Sequence, residues 1–230
     1  MPTVLVTGAN RGLGLEFTRQ YAGRGWRVHA CCRTPPAADE LQSLARGNPD
    51  IRIHALDVRD LDRSAELAGE LAGEAIDLLL NNAGLYGPGK MFLGEIDYSA
   101  WAEVFAVNTL GPTRLVECFV DHVARSDRKL IACISSLMGS ITANTAGRHY
   151  LYRSTKAALN AVVKSLSIDL RDRGITVVTM HPGWVKTDMG GADADLEIPE
   201  SVGGVIGVLD RLRPQDSGKF LNYDGAELPW

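Results

Sequence analysis

The chain has 230 residues, 45% of them hydrophobic, which permits one large α/β domain and does not require two. Its formal net charge of −4 argues against a general affinity for nucleic acid. No apolar run approaches the roughly 18 residues of a membrane span, and the start, Met1-Pro2-Thr3-Val4, lacks a signal-peptide pattern, so a cytoplasmic protein is expected.

In chain order, β-rich runs alternate with helical patterns. Residues 3–7 read as a strand and 13–24 as a helix. Residues 27–33 form the next predicted strand, followed by a helix near 39–46. Strands over 51–56 and 76–81 flank a helix around 61–73. A long helix is predicted over 98–124, with Gly111-Pro112 as its candidate break. A strand over 129–135, a long amphipathic helix over 152–171 and a strand over 175–180 come next. A helix over 199–213 and a strand over 219–223 close the chain. Such alternation calls for a parallel sheet covered on both faces. No repeat or linker interrupts it, so residues 1–230 read as one domain. Two longer loops, 140–151 and 183–198, follow strand ends, and the carboxyl ends of strands are where open α/β sheets bind ligands.

The first predicted strand ends at Thr7, and Gly8, Gly12 and Gly14 follow before a helix begins. Glycine allows the tight turn and a close approach of backbone to a pyrophosphate, and the helix start offers free N–H groups. Gly8, Asn10, Arg11, Gly12, Leu13 and Gly14 are therefore candidate nucleotide contacts. An acidic side chain ending the second strand would bind the ribose hydroxyls of NAD. Cys31-Cys32-Arg33-Thr34 stands there instead, and Arg11 lies inside the turn. Two guanidinium groups suit a 2′-phosphate, so NADP is expected over NAD; the bland alternative is two solvated arginines.

Tyr152 and Lys156 lie one helical turn apart, so phenol and ammonium share a face. A fixed cation eases ionisation of a phenol whose free pKa is about 10. Tyr150 has Ser154 at the same spacing and no charge. Only one of Ser135 and Ser136 can face a pocket if the strand persists through them. The four cysteines, at 31, 32, 118 and 133, make no Cys-x-x-Cys pair and read as reduced thiols. His149 and His181 lack partners at metal spacing and read as structural, so no metal is expected.

These motifs resemble the short-chain dehydrogenase/reductase family over essentially the whole chain. The matching residues are Thr7-Gly8-x-x-x-Gly12-x-Gly14, Asp57-Val58, Asn81-Asn82-Ala83-Gly84, Asn108, Ser135-Ser136, Tyr152-x-x-x-Lys156 and Pro182-Gly183. The stretch from His181 to Gly191 and the ending Asp224-Gly225-x-x-Leu228-Pro229-Trp230 resemble C-factor-like proteins and sniffer-type carbonyl reductases. The expected fold is a Rossmann-type doubly wound parallel sheet of about seven strands in the order 3-2-1-4-5-6-7.

The resemblance implies roles. Tyr152 would be general acid in reduction, with Lys156 holding the nicotinamide ribose and lowering the phenol's pKa. Ser136, which fits the Ser-x-x-Gly pattern of Ser136-Leu137-Met138-Gly139, would bind the substrate oxygen. Asn108 would kink its helix and hold a water beside Lys156. Asp57 and Val58 would meet the adenine, unless Asp57 only caps the next helix, and Asn81, Ala83 and Gly84 would line the adenosine ribose. Pro182, Gly183, Val185 and Thr187 would hold the nicotinamide end. The serine-to-tyrosine interval of 16 residues exceeds the usual family spacing, so the loop between them must bulge.

The expected activity is NADPH-dependent reduction of a small hydrophobic aldehyde or ketone. Leu85, Tyr86, Leu137, Met138, Trp184 and Met189 are candidate substrate contacts. A C-factor-like signalling role, in which cofactor binding matters more than turnover, is the alternative; NAD-dependent alcohol oxidation is a third. No nucleic-acid or membrane partner is expected. Excess apolar residues on the helices, such as Val162, Val163, Leu166 and Leu170, suggest a homodimer.

Overall fold

The first strand, β1 (Thr3–Thr7), reads TVLVT without polar alternation because both of its faces are covered. The computed structural model describes residues 1–88 and 92–230. After β1 come α1 (Gly12–Gly23), β2 (Arg27–Cys32), α2 (Asp39–Arg46) and β3 (Ile51–Ala55). Next are α3 (Leu61–Glu70), β4 (Leu78–Asn81), α4 (Tyr98–Phe105) and, after a π-turn over Ala106–Leu110, α5 (Gly111–Ala124). Then follow β5 (Leu130–Ile134), α6 (Tyr150–Asp169), β6 (Thr176–His181), α7 (Ile198–Arg211) and β7 (Phe220–Asn222).

The seven strands form one parallel sheet in the order β3-β2-β1-β4-β5-β6-β7. Successive strand residues face opposite sides. Val4, Val6, Leu78, Leu80 and Ala132 join Phe17, Tyr21, Leu41 and Val205 of α1, α2 and α7 in one core. Leu5, Leu79, Ile131 and Val177 join Leu67, Phe119, Leu159 and Val163 of α3, α5 and α6 in the other. The order reverses between β1 and β4, and in open α/β sheets such a reversal marks the crevice, outside the carboxyl ends of the strands, where ligands bind.

Two expectations need correction. The helix predicted over 98–124 is interrupted at 106–110, before Gly111-Pro112; Pro112 instead sits in the first turn of α5, where its missing N–H costs nothing. The apolar residues taken as a pairing surface on α6 largely belong to the core. Val163 is fully buried, and Leu166 and Leu170 pack against the same cluster. Cys31, Cys32 and Cys133 are buried, Cys118 is half-buried, and all four are free thiols.

Candidate active site

The glycine turn between β1 and α1 has a shape that side chains would fill. Gly8 and Gly12 sit in the left-handed region at φ +67° and +54°. A Cβ on Gly14 would lie 2.1 Å from Gly8 O and 2.6 Å from Asn82 Nδ2. No side chain caps α1 and no acid stands in its first turn, so the helix start offers its N–H groups to an anion. Asn10 and Arg11 are exposed, and Leu13 packs against the core. Two residues quoted in the motifs without a role hold the turn in place. Thr7 Oγ1 accepts from the N–H groups of Asn82 and Ala83, both at 3.0 Å, and Asn82 Nδ2 donates to Thr7 O at 2.8 Å. A phosphate-bearing nucleotide fits this cradle.

Arg33 and Asp57 follow the ends of β2 and β3, which are neighbouring strands. Arg33 helps hold the Asp57 carboxyl below the usual carboxylate range, although the main cause is a side-chain hydrogen bond from Arg59. That guanidinium grips Asp57 through Nε at 3.0 Å and Nη2 at 2.6 Å. Asp57 is not the cap of α3; Asp60 is, accepting from Arg63 N at 2.9 Å. Val58 is buried. Asn81 departs from its expected place, because its amide is buried and donates to Cys133 Sγ at 3.6 Å. Its side chain lies inside the sheet, so Ala83 and the exposed Gly84 are what β4 presents to the crevice.

Arg11 also departs from expectation. It pairs with Asp188 and not with a group beside Arg33, linking the glycine turn to the loop after β6. The pair is exposed on both sides, so it is worth at most about 1 kcal/mol. The loop folds back on itself, with Lys186 N donating to Leu196 O and Leu196 N to Trp184 O. Thr187 accepts from Gly190 N at 3.0 Å and faces Gly12. Pro182 and Val185 are buried, and Gly183 has φ +83° beneath Leu196 and Tyr223.

Four polar side chains converge between β5, the π-turn and α6. Ser136 follows β5 and opens a short turn, Leu137–Gly139, that packs on α6. Gly139 permits this, since a Cβ there would meet Lys156 atoms at 2.8 Å. The turn brings Ser136 beside the Tyr152 phenol, where its hydroxyl favours ionisation. Ser135 faces away and donates to Asn160 Oδ1 at 2.7 Å. Lys156 Nζ donates to Ile134 O at 2.8 Å and lies 5.7 Å from the Tyr152 ring centre. Asn108 is fully buried. Its Oδ1 accepts from Leu85 N, and its Nδ2 donates to Leu85 O, both at 2.8 Å, and to Thr155 Oγ1 at 3.0 Å. That amide is a clamp on the chain after β4.

The electrostatics differ from the sequence expectation. Burial pushes the Tyr152 phenol up to about 12, against the pull of Ser136, and burial lowers the Lys156 ammonium to about 8. Desolvation outweighs every other influence on the phenol, and the Lys156 ammonium donates to the carbonyl of Ile134. Tyr152 is therefore a protonated acid across the neutral range.

A model of the short chain dehydrogenase family matches residues 2–197. The chain belongs to this family. Its relative C-signal from Myxococcus xanthus is 46% identical over 155 residues, covering 67% of this chain and 93% of that protein. Carbonyl reductase Sniffer of D. melanogaster matches with a TM-score of 0.95 and 34% identity over 100% of both chains. The NADPH-bound carbonyl reductase from chicken fatty liver gives 0.94 at 36% identity, over 100% of this chain and 99% of that one.

In this short-chain dehydrogenase the long serine-to-tyrosine loop does bulge, and residues 141–148 are exposed. Trp230 O anchors its start, accepting from Thr142 N at 2.9 Å and Ser140 Oγ at 3.1 Å. The candidate substrate residues all follow strand ends. Leu137, Trp184 and Met189 are exposed, while Leu85, Tyr86 and Met138 are half-buried. His149, read from sequence as structural, stands next to the reacting cluster, with Nδ1 2.8 Å from Tyr86 Oη. Only contact across 63 residues could have revealed it. Among the described residues no His, Cys, Asp or Glu cluster could hold a metal, and no helix is long and apolar enough to cross a membrane.

Proposed function

We propose that the protein is an NADPH-dependent oxidoreductase that reduces the carbonyl of a small hydrophobic aldehyde or ketone. The observation that carries this reading is the buried Tyr152 beside Ser136, with Lys156 one turn behind it at the end of β5. The chicken relative is a carbonyl reductase with NADPH bound, and the glycine cradle here is open to the same cofactor; both support NADPH. Bound in the crevice, its nicotinamide would supply the hydride. Gly8, Asn10, Gly12, Leu13 and Gly14 would hold the pyrophosphate, Arg33 the 2′-phosphate, and Asp57, Val58, Ala83 and Gly84 the adenosine side. Asn81 would contribute through its backbone alone. Lys156 and the 182–187 segment would hold the nicotinamide end, and Arg11 could join the phosphates by releasing Asp188.

The chain's own part is proton transfer and orientation. Ser136 donates to the carbonyl oxygen and fixes it beside Tyr152 Oη. Tyr152 then gives that oxygen its proton. Leu137, Met138, Trp184 and Met189 would offer the substrate an apolar rim.

The test is a panel of aldehydes, ketones and quinones followed by loss of NADPH absorbance, with NADH in parallel. Tyr152→Phe should lower kcat by about 10²–10⁴-fold with NADPH affinity unchanged. Arg33→Asp should shift preference from NADPH toward NADH, and an unchanged preference would remove Arg33 from the phosphate site. The likeness to C-signal favours a second reading, in which binding alone serves a signalling role. A cellular role that survives Tyr152→Phe would select that reading.

A further inference from the structure

Tyr152 does not stand alone in its pocket. The ring of Tyr86 lies against it, with centroids 4.8 Å apart and planes tilted by 40°. Tyr86 Oη lies 2.8 Å from His149 Nδ1, a hydrogen bond that crosses from the segment after β4 to the residue that starts α6. We propose that Tyr86 and His149 are a positioning pair for Tyr152: His149 fixes the Tyr86 phenol, and the Tyr86 ring fixes the reacting phenol.

Both partners are held from behind. Leu85, just before Tyr86, has its N–H and C=O both taken by the Asn108 amide. Gly87, just after it, runs at φ +94° so close to α4 and α6 that a Cβ would lie 3.2 Å from Val104 and 3.4 Å from Leu151. Tyr86 thus has little backbone freedom.

His149 occupies a costly conformation. Gly147, Arg148 and His149 have φ of +63°, +57° and +52°, and the last two are not glycine. Such residues persist where surrounding contacts enforce them. Here Arg153 supplies them, donating from its backbone N to His149 O at 2.9 Å and from Nε to Gly147 O at 3.2 Å. The strained turn aims the imidazole at Tyr86. Asn108, Leu85, Tyr86, His149 and Tyr152 therefore form one continuous mechanical path.

The inference rests on Tyr152 being the proton donor, so its test has one arm that needs no turnover. In protein with ring-labelled tyrosine, the Tyr152 NMR signal is assigned by its loss in Tyr152→Phe. His149→Gly suits the positive φ and removes the imidazole without touching Tyr152. It should move or broaden the Tyr152 signal, as should Tyr86→Phe, which keeps the ring. His149→Asn tolerates the same φ and places a polar atom near the position of Nδ1, so it should restore the signal. On the best panel substrate, Tyr86→Phe and His149→Gly should each lower kcat about tenfold with KM within about twofold. The double variant should be no worse than the worse single one, because both break one link. A Tyr152 signal unmoved in His149→Gly, or losses that multiply in the double variant, would overturn the pair. Wild-type protein inactive on every carbonyl would sink the proposed function, and the NMR arm would still decide the pair.

Discussion

Ser135 and Ser136 are adjacent, yet one is tied to Asn160 inside the protein and the other faces Tyr152. Strand alternation explains the split, and the Ser-x-x-Gly pattern pointed to the right side because Gly139 is what lets the turn reach α6. Glycines at this scale give opposite predictions. Gly14→Ala drives a methyl into Gly8 O and the Asn82 amide, and should cost about 1–3 kcal/mol and abolish nucleotide binding by calorimetry. Gly69→Ala, on the exposed side of α3 with nothing within 4 Å, should gain about 0.5–1 kcal/mol in urea melts. Histidine gives the pH dependence. His29 is fully buried, and burial, helped by His54, lowers it to about 4. Its folded pKa lies below the unfolded value near 6.5. The unfolded chain then binds the extra proton between those values, so stability falls as pH drops from 6.5 to 4 and this group adds no further loss below. The contribution is about 3 kcal/mol, and His29→Gln should flatten that part of the melting-temperature profile.

The element that sequence rendered least well is the helix over 98–124. Its periodicity is continuous, and only the family resemblance, through Asn108, pointed to a kink where the π-turn at 106–110 lies. The turn belongs to Asn108, whose amide finds Leu85 and Thr155 only after β4 and α6 have come together. A π-turn inside a helix commonly marks a functional site. Asn108→Ala leaves both Leu85 polar groups without that partner and should cost about 1–3 kcal/mol in urea melts. Because Leu85 carries Tyr86, it should also lower kcat. The loop over 140–149 follows the same logic. Its excess length is visible as a count of residues, but its anchor to Trp230 and the left-handed turn at its end depend on distant partners.

At the scale of the molecule, the reversal of strand order between β1 and β4 puts the glycine turn, the end of β4 and the Ser136–Tyr152–Lys156 cluster around one crevice. The homodimer expectation loses Val163, Leu166 and Leu170 to the core. Pairing through these helices remains a proposal resting on Tyr98, Leu110 and Ile168, which are exposed. Light scattering should then return twice the 24.8 kDa chain mass, and a single-chain mass would end it. The sequence by itself determined the alternation of elements, the glycine turn and the helical spacing of Tyr152 and Lys156, because these follow from periodicity and neighbours within a few residues. It did not reveal the partners of Arg11 and Asn81 or the burial of Tyr152. Each depends on a partner or on burial set by segments far away in the chain: Asp188 for Arg11, Cys133 for Asn81, and a dry pocket closed by Tyr86 and Ser136 for Tyr152. Side-chain direction and local dielectric belong to the packed fold, and only the tertiary structure decides them.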